Sequence, residues 1–229
     1  MKSKLLNLEP ARQLMGRHMA HKETYPVSFK GLDLVIHPNV FNPAYTKVSG
    51  FLIDNIEITL GSKVLDMFTG SGSVAIFAAK KGASSVIGVD ISAPAIACAS
   101  ENAVRNKVSD SIRFVQDSLW ESILETEKYD VITANPPLLP VFPETLLEMA
   151  IADSPGMRLM IDFLQGCGTH MNNHKSRVFM AFSNACKVFV PNPIAFIDDI
   201  AKKNGLRMEI SAEWDVGYEI YRILKFMLN

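Results

Sequence analysis

The chain has 229 residues, 48% of them hydrophobic and 21% charged, and a formal net charge of −1. These proportions are typical of an ordinary globular protein, and the length suits one domain with an N-terminal extension. The small net charge argues against a protein that binds long nucleic acids by charge alone. Three cysteines without C-x-x-C spacing indicate a reducing, cytoplasmic location and no disulfide framework.

The charge is unevenly distributed. Residues 1–50 contain seven Lys or Arg and three Asp or Glu, or +4, which leaves −5 for the remainder. A basic N-terminal surface could contact RNA or an acidic partner, or it could be a solvated surface. We expect no signal peptide and no membrane-spanning segment, because the longest apolar stretches are interrupted by proline.

The first predicted elements form a small N-terminal unit. Residues 11–19 have apolar side chains at helical spacing, and we expect His18 on this helix to pack rather than catalyse. Residues 27–29 and Leu32–Ile36 flank Lys30-Gly31 as the arms of a hairpin. We assign residues 1–45 to an extension on the substrate side and residues 46–229 to the main domain.

The main domain alternates predicted strands and helices. Helices are predicted at 48–56, 74–81, from 93 onward, 146–150, 158–167 and 194–203, and strands at 64–67, 85–90, 112–116, 129–134, 178–182, 206–214 and 218–226. The last two strands have no helix between them. The pattern predicts an α/β fold with a Rossmann-like, seven-stranded, mostly parallel sheet, helices on both faces and an antiparallel C-terminal hairpin.

A strand, a glycine turn and a helix form the first βα unit of this domain. Gly70-Ser71-Gly72 is the turn, and it lets a ligand approach the backbone at a helix N-terminus. Asp90 ends the next strand, where nucleotide-binding folds place a ribose-binding carboxylate. The turn differs from the dinucleotide-binding pattern G-x-G-x-x-G, because its third glycine position is occupied by Ala75. It also has an acid, Asp66, in the strand before the turn. These residues favour a ligand with a ribose and an amino or cationic group, and S-adenosylmethionine has both.

Three segments together resemble one enzyme family. The segments are Asp66-x-Phe68-x-Gly70-Ser71-Gly72, Asp90 and Asn135-Pro136-Pro137. They are similar to those of class I S-adenosylmethionine-dependent methyltransferases with an N-P-P motif. This group includes the HemK-like protein-glutamine methyltransferases and the amino-methyltransferases of adenine and guanine. The likeness extends over about residues 38–225. It implies S-adenosylmethionine as cofactor, held by Asp66, Phe68, Thr69, Gly70, Ser71, Gly72, Asp90, Ile91, Asp117, Ser118 and Asn135. For Asp117, a contact to the adenine amino group and a plain helix cap are the two interpretations.

Asn135, Pro136, Pro137 and Leu138 form the predicted catalytic turn. The prolines stiffen the turn, and the Asn135 side-chain oxygen and Pro136 carbonyl are acceptors suited to an NH₂ group. A rigid loop without a substrate role is the alternative. The resembled family usually has Tyr or Phe at the fourth position, where this chain has Leu138, and Leu138 with Phe142 could form an apolar wall instead.

The resemblance implies an N-methyltransferase that acts on an amide or amine nitrogen, with a protein glutamine-type acceptor favoured. RNA base amines and small-molecule amines are the alternatives, and a non-catalytic cofactor-binding partner subunit is the alternative from another class. We expect a monomer or a homodimer with no membrane partner.

Two further segments complete the sequence reading. Residues 40–46 resemble the segment that closes over the methionine end of the cofactor in HemK-like enzymes, although the acid usual near Thr46 is missing; a packed loop is the alternative. Cys167, His170 and His174 have a spacing that could bind zinc, but the surrounding glycines and asparagines favour a helix end, so no metal is predicted.

Overall fold

The computed structural model describes residues 9–153 and 156–229. The helices are α1 Glu9–Met19, α2 Val48–Asn55, α3 Ser73–Lys80, α4 Ala93–Arg105, α5 Leu146–Met149, α6 Arg158–His170 and α7 Pro193–Lys203. The strands are β1 Tyr25–Phe29, β2 Leu32–Ile36, β3 Lys63–Met67, β4 Ser85–Asp90, β5 Ile112–Gln116, β6 Val131–Ala134, β7 Leu139–Pro140, β8 Ala152–Asp153, β9 Arg177–Ser183, β10 Leu206–Asp215 and β11 Ile220–Leu228.

A seven-stranded sheet with the order β10-β11-β9-β6-β3-β4-β5 forms the centre of the molecule. Strands β3, β4, β5, β6 and β9 pair in parallel, whereas β11 pairs antiparallel with both β9 and β10. The predicted fold class is therefore confirmed, including the antiparallel C-terminal hairpin. Because the five parallel strands run in one direction, their carboxyl ends meet at one edge of the sheet.

Helices cover both faces of this sheet, as expected. One face packs against α6 and α7, with Phe163, Leu164 and Ile197 fully buried. The other face packs against α2 and α3, where Leu52 and Ile76 are fully buried. Apolar side chains at helical spacing therefore create two cores, one on each side of a largely apolar sheet.

The predicted hairpin of the N-terminal unit is confirmed as β1 and β2, which pair antiparallel. Two asparagines, Asn102 in α4 and Asn106 at its C-cap, hydrogen-bond to the backbone of β2 as a neighbouring strand would. The Asn102 side chain accepts from Val35 N at 2.7 Å and donates to Val35 O at 2.9 Å. Asn106 accepts from Asp33 N at 3.2 Å and donates to Asp33 O at 2.8 Å. These amides satisfy backbone groups that β2 would otherwise leave unpaired.

Several predicted boundaries were wrong by two or three residues: β1 begins at Tyr25 rather than at 27, and β11 is Ile220–Leu228 rather than 218–226. Strand β6 begins at Val131 rather than at 129, because Tyr129 makes only an isolated bridge to Met171. Helix α6 continues to His170, three residues past the expected end at 167. A Cβ atom on Gly166 would lie 2.3 Å from the Trp120 indole. A glycine in α6 is therefore needed for packing of Trp120, and it does not mark a frayed helix end.

The parallel pairing of the short strands β7 and β8 was not predicted. Within residues 9–153 and 156–229, no helix combines the length and apolar character that a membrane crossing requires. In the same part of the chain, no three His, Cys, Asp or Glu side chains are grouped as metal ligands. Cys167 and His170 are buried in α6, and the His170 ring stacks on Trp120 at 4.7 Å between centroids.

Candidate functional site

A cavity of about 1220 Å³ opens at the carboxyl edge of the parallel strands. It is larger than the roughly 300–1,000 Å³ of a typical site for one small ligand. Its wall includes most of the site residues predicted from the sequence: Phe68, Thr69, Gly70, Ser71, Asp90, Ile91, Asp117, Ser118, Asn135, Pro136, Pro137 and Leu138. The structure thus brings the predicted cofactor and catalytic residues together in one cavity.

Asp66 is 1% exposed and lies behind the cavity wall. Its carboxylate accepts from the Thr69 hydroxyl at 2.7 Å and from the Thr133 hydroxyl at 2.7 Å. Burial raises the pKa of Asp66 from 3.8 to about 6, against the lowering effect of these hydrogen bonds. In this arrangement Asp66 supports the glycine turn from beneath, and direct contact with a cofactor amino group stays a prediction.

Gly72 also lies behind the wall, at the point where α3 begins. Its φ is +81°, and a Cβ there would lie 2.9 Å from the Ala99 Cβ of α4. Glycine is therefore needed both for the left-handed conformation and for the close approach of α4. The resulting turn leaves Gly70 and Ser71 on the cavity side.

Asp90 links the ends of two neighbouring βα units. One carboxylate oxygen accepts from Gly70 N at 2.9 Å, and the other accepts from Ser92 N at 2.9 Å. Burial raises the pKa of Asp90 above its ordinary value, while the two backbone hydrogen bonds lower it. A carboxylate can accept about four hydrogen bonds, so each oxygen retains a lone pair for a ligand hydroxyl.

Asp117 follows β5 and satisfies the backbone of the next loop. Its carboxylate accepts from Ser118 N at 2.7 Å and from Ser122 N at 2.5 Å. The interpretation of Asp117 as a helix cap is wrong, because the described segment between β5 and β6 contains turns and no helix. Asp117 also lines the cavity, so its contact with an adenine amino group stays a prediction.

The N-P-P turn is held from two sides. On one side, Leu138 N and Leu139 N both donate to the Ile151 carbonyl, at 3.1 and 2.9 Å. On the other side, Asn135 Nδ2 donates to the Ser49 hydroxyl oxygen at 3.0 Å. Within the described part of the chain, neither Asn135 Oδ1 nor the Pro136 carbonyl oxygen accepts a hydrogen bond. Two free acceptors therefore remain on residues that line the cavity.

The C-terminal hairpin supplies an aromatic wall that was not predicted. Trp214 and Tyr221 line the cavity, with ring centroids 5.8 Å apart. The Tyr221 hydroxyl donates to Glu219 at 2.7 Å, and the Ser183 hydroxyl donates to the same carboxylate. The predicted apolar wall is wrong in one member, because Phe142 is 75% exposed and lies outside the cavity wall.

Helix α1 and the segment after β2 close another side of the cavity. Leu14, Arg17 and Tyr45 contribute to the wall, and the Arg17 guanidinium lies 3.9 Å from the centre of the Tyr45 ring. His18 is buried as predicted, and its ring nitrogens contact Leu14 O and Asn42 N, both at 2.9 Å. Because Asn42 N can only donate, the His18 ring is neutral with its proton on Nδ1.

The cavity wall suits S-adenosylmethionine. Asp90 has free lone pairs for ribose hydroxyls, and Ile91, which is 50% exposed, offers apolar surface beside it. The turn at Gly70 has no Lys or Arg of its own, although Arg17, Lys47 and Lys187 also line the cavity.

Comparisons with known proteins agree with this geometry. Residues 44–149 match the family model described as ribosomal protein L11 methyltransferase (PrmA). A putative protein N5-glutamine methyltransferase of Methanocaldococcus jannaschii is 39% identical over 114 residues, which cover 50% of this chain and 55% of that protein. The release factor glutamine methyltransferase of Rhodopirellula baltica is 32% identical over 136 residues, which cover 57% of this chain and 43% of that protein.

Among solved structures, the ribosomal protein L11 methylase of Lactobacillus delbrueckii subsp. bulgaricus has a TM-score of 0.58 at 23% identity, and 82% of each chain is covered. This likeness shows the fold. The resemblance to class I methyltransferases of the HemK type is confirmed by these similarities of sequence and fold. The chain spans about half or less of the length of the curated relatives described above.

Proposed function

We propose that this chain transfers a methyl group from S-adenosylmethionine to an amide or amine nitrogen. Its fold and its sequence relatives are those of class I methyltransferases. The observation that carries the proposal is the pair of free acceptors, Asn135 Oδ1 and the Pro136 carbonyl, on the wall of the cavity that Asp90 also lines. Two acceptors on a stiff turn can hold both hydrogens of an NH₂ group.

Asp90 is proposed to hold the ribose hydroxyls, while Gly70 and Ser71 offer backbone to the methionine part. Ile91 and Ser118 are proposed to enclose the adenine. The bound cofactor supplies a methyl group on a sulfonium, which is electrophilic without help from a metal ion.

Asn135 and Pro136 are proposed to accelerate the reaction by placement. When both hydrogens of the acceptor are held, the plane of the NH₂ group is fixed, and the direction of the nitrogen lone pair is fixed with it. Orientation of this kind can lower a barrier by on the order of 7–11 kcal/mol in favourable cases. The same oxygens stabilise positive charge as it develops on the nitrogen. On transfer, an N–C bond would form as the S–C bond of the methyl group breaks. The electron pair of the S–C bond would stay on sulfur, and the nitrogen would release its proton to solvent.

We favour a protein glutamine side chain as the acceptor. The printed names of two relatives state that those proteins act on protein or release factor glutamine. A planar amide also suits the flat aromatic surface of Trp214 and Tyr221. RNA base amines and small amines are the competing acceptors, and the assay below separates them. Cys98, Cys167 and Cys186 are free and buried, which supports a reducing compartment such as the cytoplasm.

The test has two stages. Calorimetric titration of the purified chain with S-adenosylmethionine and S-adenosylhomocysteine should show binding of both. The chain is then incubated with methyl-labelled S-adenosylmethionine and a cell extract, and the mixture is separated into protein, RNA and small molecules. We expect the label in the protein fraction.

Asn135→Ala should bind the cofactor as the parent does and transfer no label. Ser62→Ala is the control, because Ser62 is also a buried polar residue and its hydroxyl has no partner among the described residues. Equal transfer by Asn135→Ala and the parent would remove the catalytic proposal. Cofactor binding with no label in any fraction would favour the non-catalytic partner subunit.

A further inference from the structure

We infer that Arg17 of α1 binds the carboxylate of the methionine part of S-adenosylmethionine; this inference deepens the function proposed above and rests on it. Arg17 is an exposed residue that lines the cavity, and its guanidinium lies 3.9 Å from the centre of the Tyr45 ring. Within residues 9–153 and 156–229, no Asp or Glu forms an ion pair with this guanidinium. The cavity wall therefore carries a cation whose charge the described part of the chain does not pair.

The cofactor brings a carboxylate into a cavity whose wall already contains acids. Four acidic residues line it: Asp90, Asp117, Asp153 and Glu219. A carboxylate that leaves water needs a charged or hydrogen-bonding partner, and nearby acids increase that need. A guanidinium suits this purpose, because its N–H groups can donate to both carboxylate oxygens at once. Binding of the methionine part thus requires one of the cations on the wall.

Position distinguishes Arg17 from the two lysines of the wall, Lys47 and Lys187. The Lys47 ammonium lies 5.3 Å from the centre of the Trp214 ring, and Trp214 belongs to β10, four places from β3 in the sheet. Lys187 follows β9, two places from β3. At about 4.8 Å per strand, these strands lie about 19 and 10 Å from the one that leads into the glycine turn. Both lysines therefore belong to the side proposed for the methyl acceptor.

The segment between β2 and α2 places Arg17 nearer to the cofactor side. At the start of the segment, the Asn102 side-chain nitrogen donates both to the backbone of β2 and to Ser71 O of the glycine turn, at 2.9 and 3.0 Å. At its end, α2 contacts Asn135 of the N-P-P turn through a hydrogen bond of 3.0 Å. The segment therefore runs from the glycine turn to the N-P-P turn, and it contains Tyr45, the ring on which Arg17 lies.

Contacts of its neighbours hold α1 against this segment. His18, the residue after Arg17, is buried and accepts from Asn42 N at 2.9 Å. A His21 ring nitrogen lies 2.7 Å from the Tyr45 hydroxyl oxygen. The contact of Arg17 with the ring positions the cation without neutralising it, so the guanidinium can still donate to two carboxylate oxygens.

The experiment compares S-adenosylmethionine with its decarboxylated form, which keeps the adenosine, the sulfonium and the amino group. Calorimetry gives the Kd of each ligand for the parent, Arg17→Met and Arg17→Lys. The Kd for S-adenosylmethionine should rise by roughly tenfold in Arg17→Met, and by less in Arg17→Lys, which keeps the charge but loses the two-pronged geometry. The Kd for the decarboxylated form should change by less than about twofold, because that ligand has no group for Arg17 to bind.

Arg12→Met is the matched control. Arg12 is also an exposed arginine of α1, but it does not line the cavity, so both Kd values should stay those of the parent. If Arg17 only stabilised α1 and the cavity wall, Arg17→Met would raise the Kd of both ligands alike. The comparison of the two ligands therefore separates recognition of the carboxylate from a structural role.

An unchanged Kd for S-adenosylmethionine in Arg17→Met, or an equal rise for both ligands, would overturn the inference and leave the proposed function standing. A parent that binds the two ligands equally well would also overturn it, since the cavity would then make no use of the carboxylate. A parent that binds neither ligand would overturn the proposed function, and the inference with it, before any variant is measured.

Discussion

The parent protein should lose stability as the pH rises through the pKa of Asp66, and replacement of Asp66 by Asn should remove this loss. Asp66 is buried beneath the glycine turn, and burial raises its pKa from 3.8 to about 6. The folded protein therefore binds a proton more readily than the unfolded chain in the interval between these two values. As pH rises through this interval, the free energy of unfolding falls, because the folded state must accommodate a buried charge.

The size of the effect follows from the shift in the pKa. A shift of about two pKa units corresponds to about 3 kcal/mol, and this penalty is fully present only above about pH 7. Asn has nearly the same shape as Asp and carries no charge. Its amide nitrogen cannot accept from a hydroxyl, so one contact to Thr69 or Thr133 weakens, but that loss is independent of pH.

The assay is urea unfolding followed by tryptophan fluorescence at several pH values, with the difference in unfolding free energy between Asp66→Asn and the parent as the readout. The difference cancels the contributions of groups that titrate alike in both proteins. We expect it to shift in favour of the variant by about 2 kcal/mol between about pH 4.5 and pH 7.5. A difference that does not change with pH, or that favours the parent at higher pH, would refute the reasoning.

The remaining predictions concern ligand binding and packing. Asp90→Ala should weaken S-adenosylmethionine by about 1–3 kcal/mol, because the ribose hydroxyls lose their acceptor; an unchanged affinity in calorimetry would contradict this. Asn102→Ala should lower the free energy of unfolding by about 2–4 kcal/mol, because Val35 N and Ser71 O lose their buried partner and Val35 O keeps only the Cys98 thiol. Chemical denaturation measures this loss. Gly166→Ala should lower the unfolding free energy by about 1–3 kcal/mol, because its Cβ would meet Trp120. Gly16→Ala is its control, since a Cβ there meets nothing within 4 Å, and an equal loss in both helices would argue against the packing explanation.

Local chemistry explains why much of the site could be predicted. The turn at Gly70-Ser71-Gly72 requires backbone freedom and a helix start, and both have direct sequence signals. Asp90 stands at the end of an apolar strand, which places it at the carboxyl edge once the sheet is parallel. Asn135 precedes two prolines, which mark a stiff turn wherever they occur. Each of these features is encoded within a few consecutive residues.

The sequence contains only a weak signal for the buried position of Ser49. This serine is a polar residue on the same helix face as Leu52 and Ile53, three and four positions further along, and a buried polar residue needs a partner. Trp214 also had a signal, because it is near the end of a strand in which half-buried residues at 208, 212 and 214 are separated by exposed ones. Its place in the cavity depended on β10 running parallel to β9, which follows only when the pairing of both with β11 is known.

The sequence by itself determined the fold class, the order of the elements and several residues that line the cavity, such as Gly70, Asp90 and Asn135. Hydrophobic periodicity, turn residues and acids at strand ends are signals that act over a few consecutive residues. Only the tertiary structure decided which side chains lie behind the cavity wall and which line the cavity. Asp66 proved to lie behind the wall, and Ser49 lies 86 positions from the amide that it holds. Such contacts depend on how separate helices and strands pack, and no pattern of neighbouring residues encodes that packing.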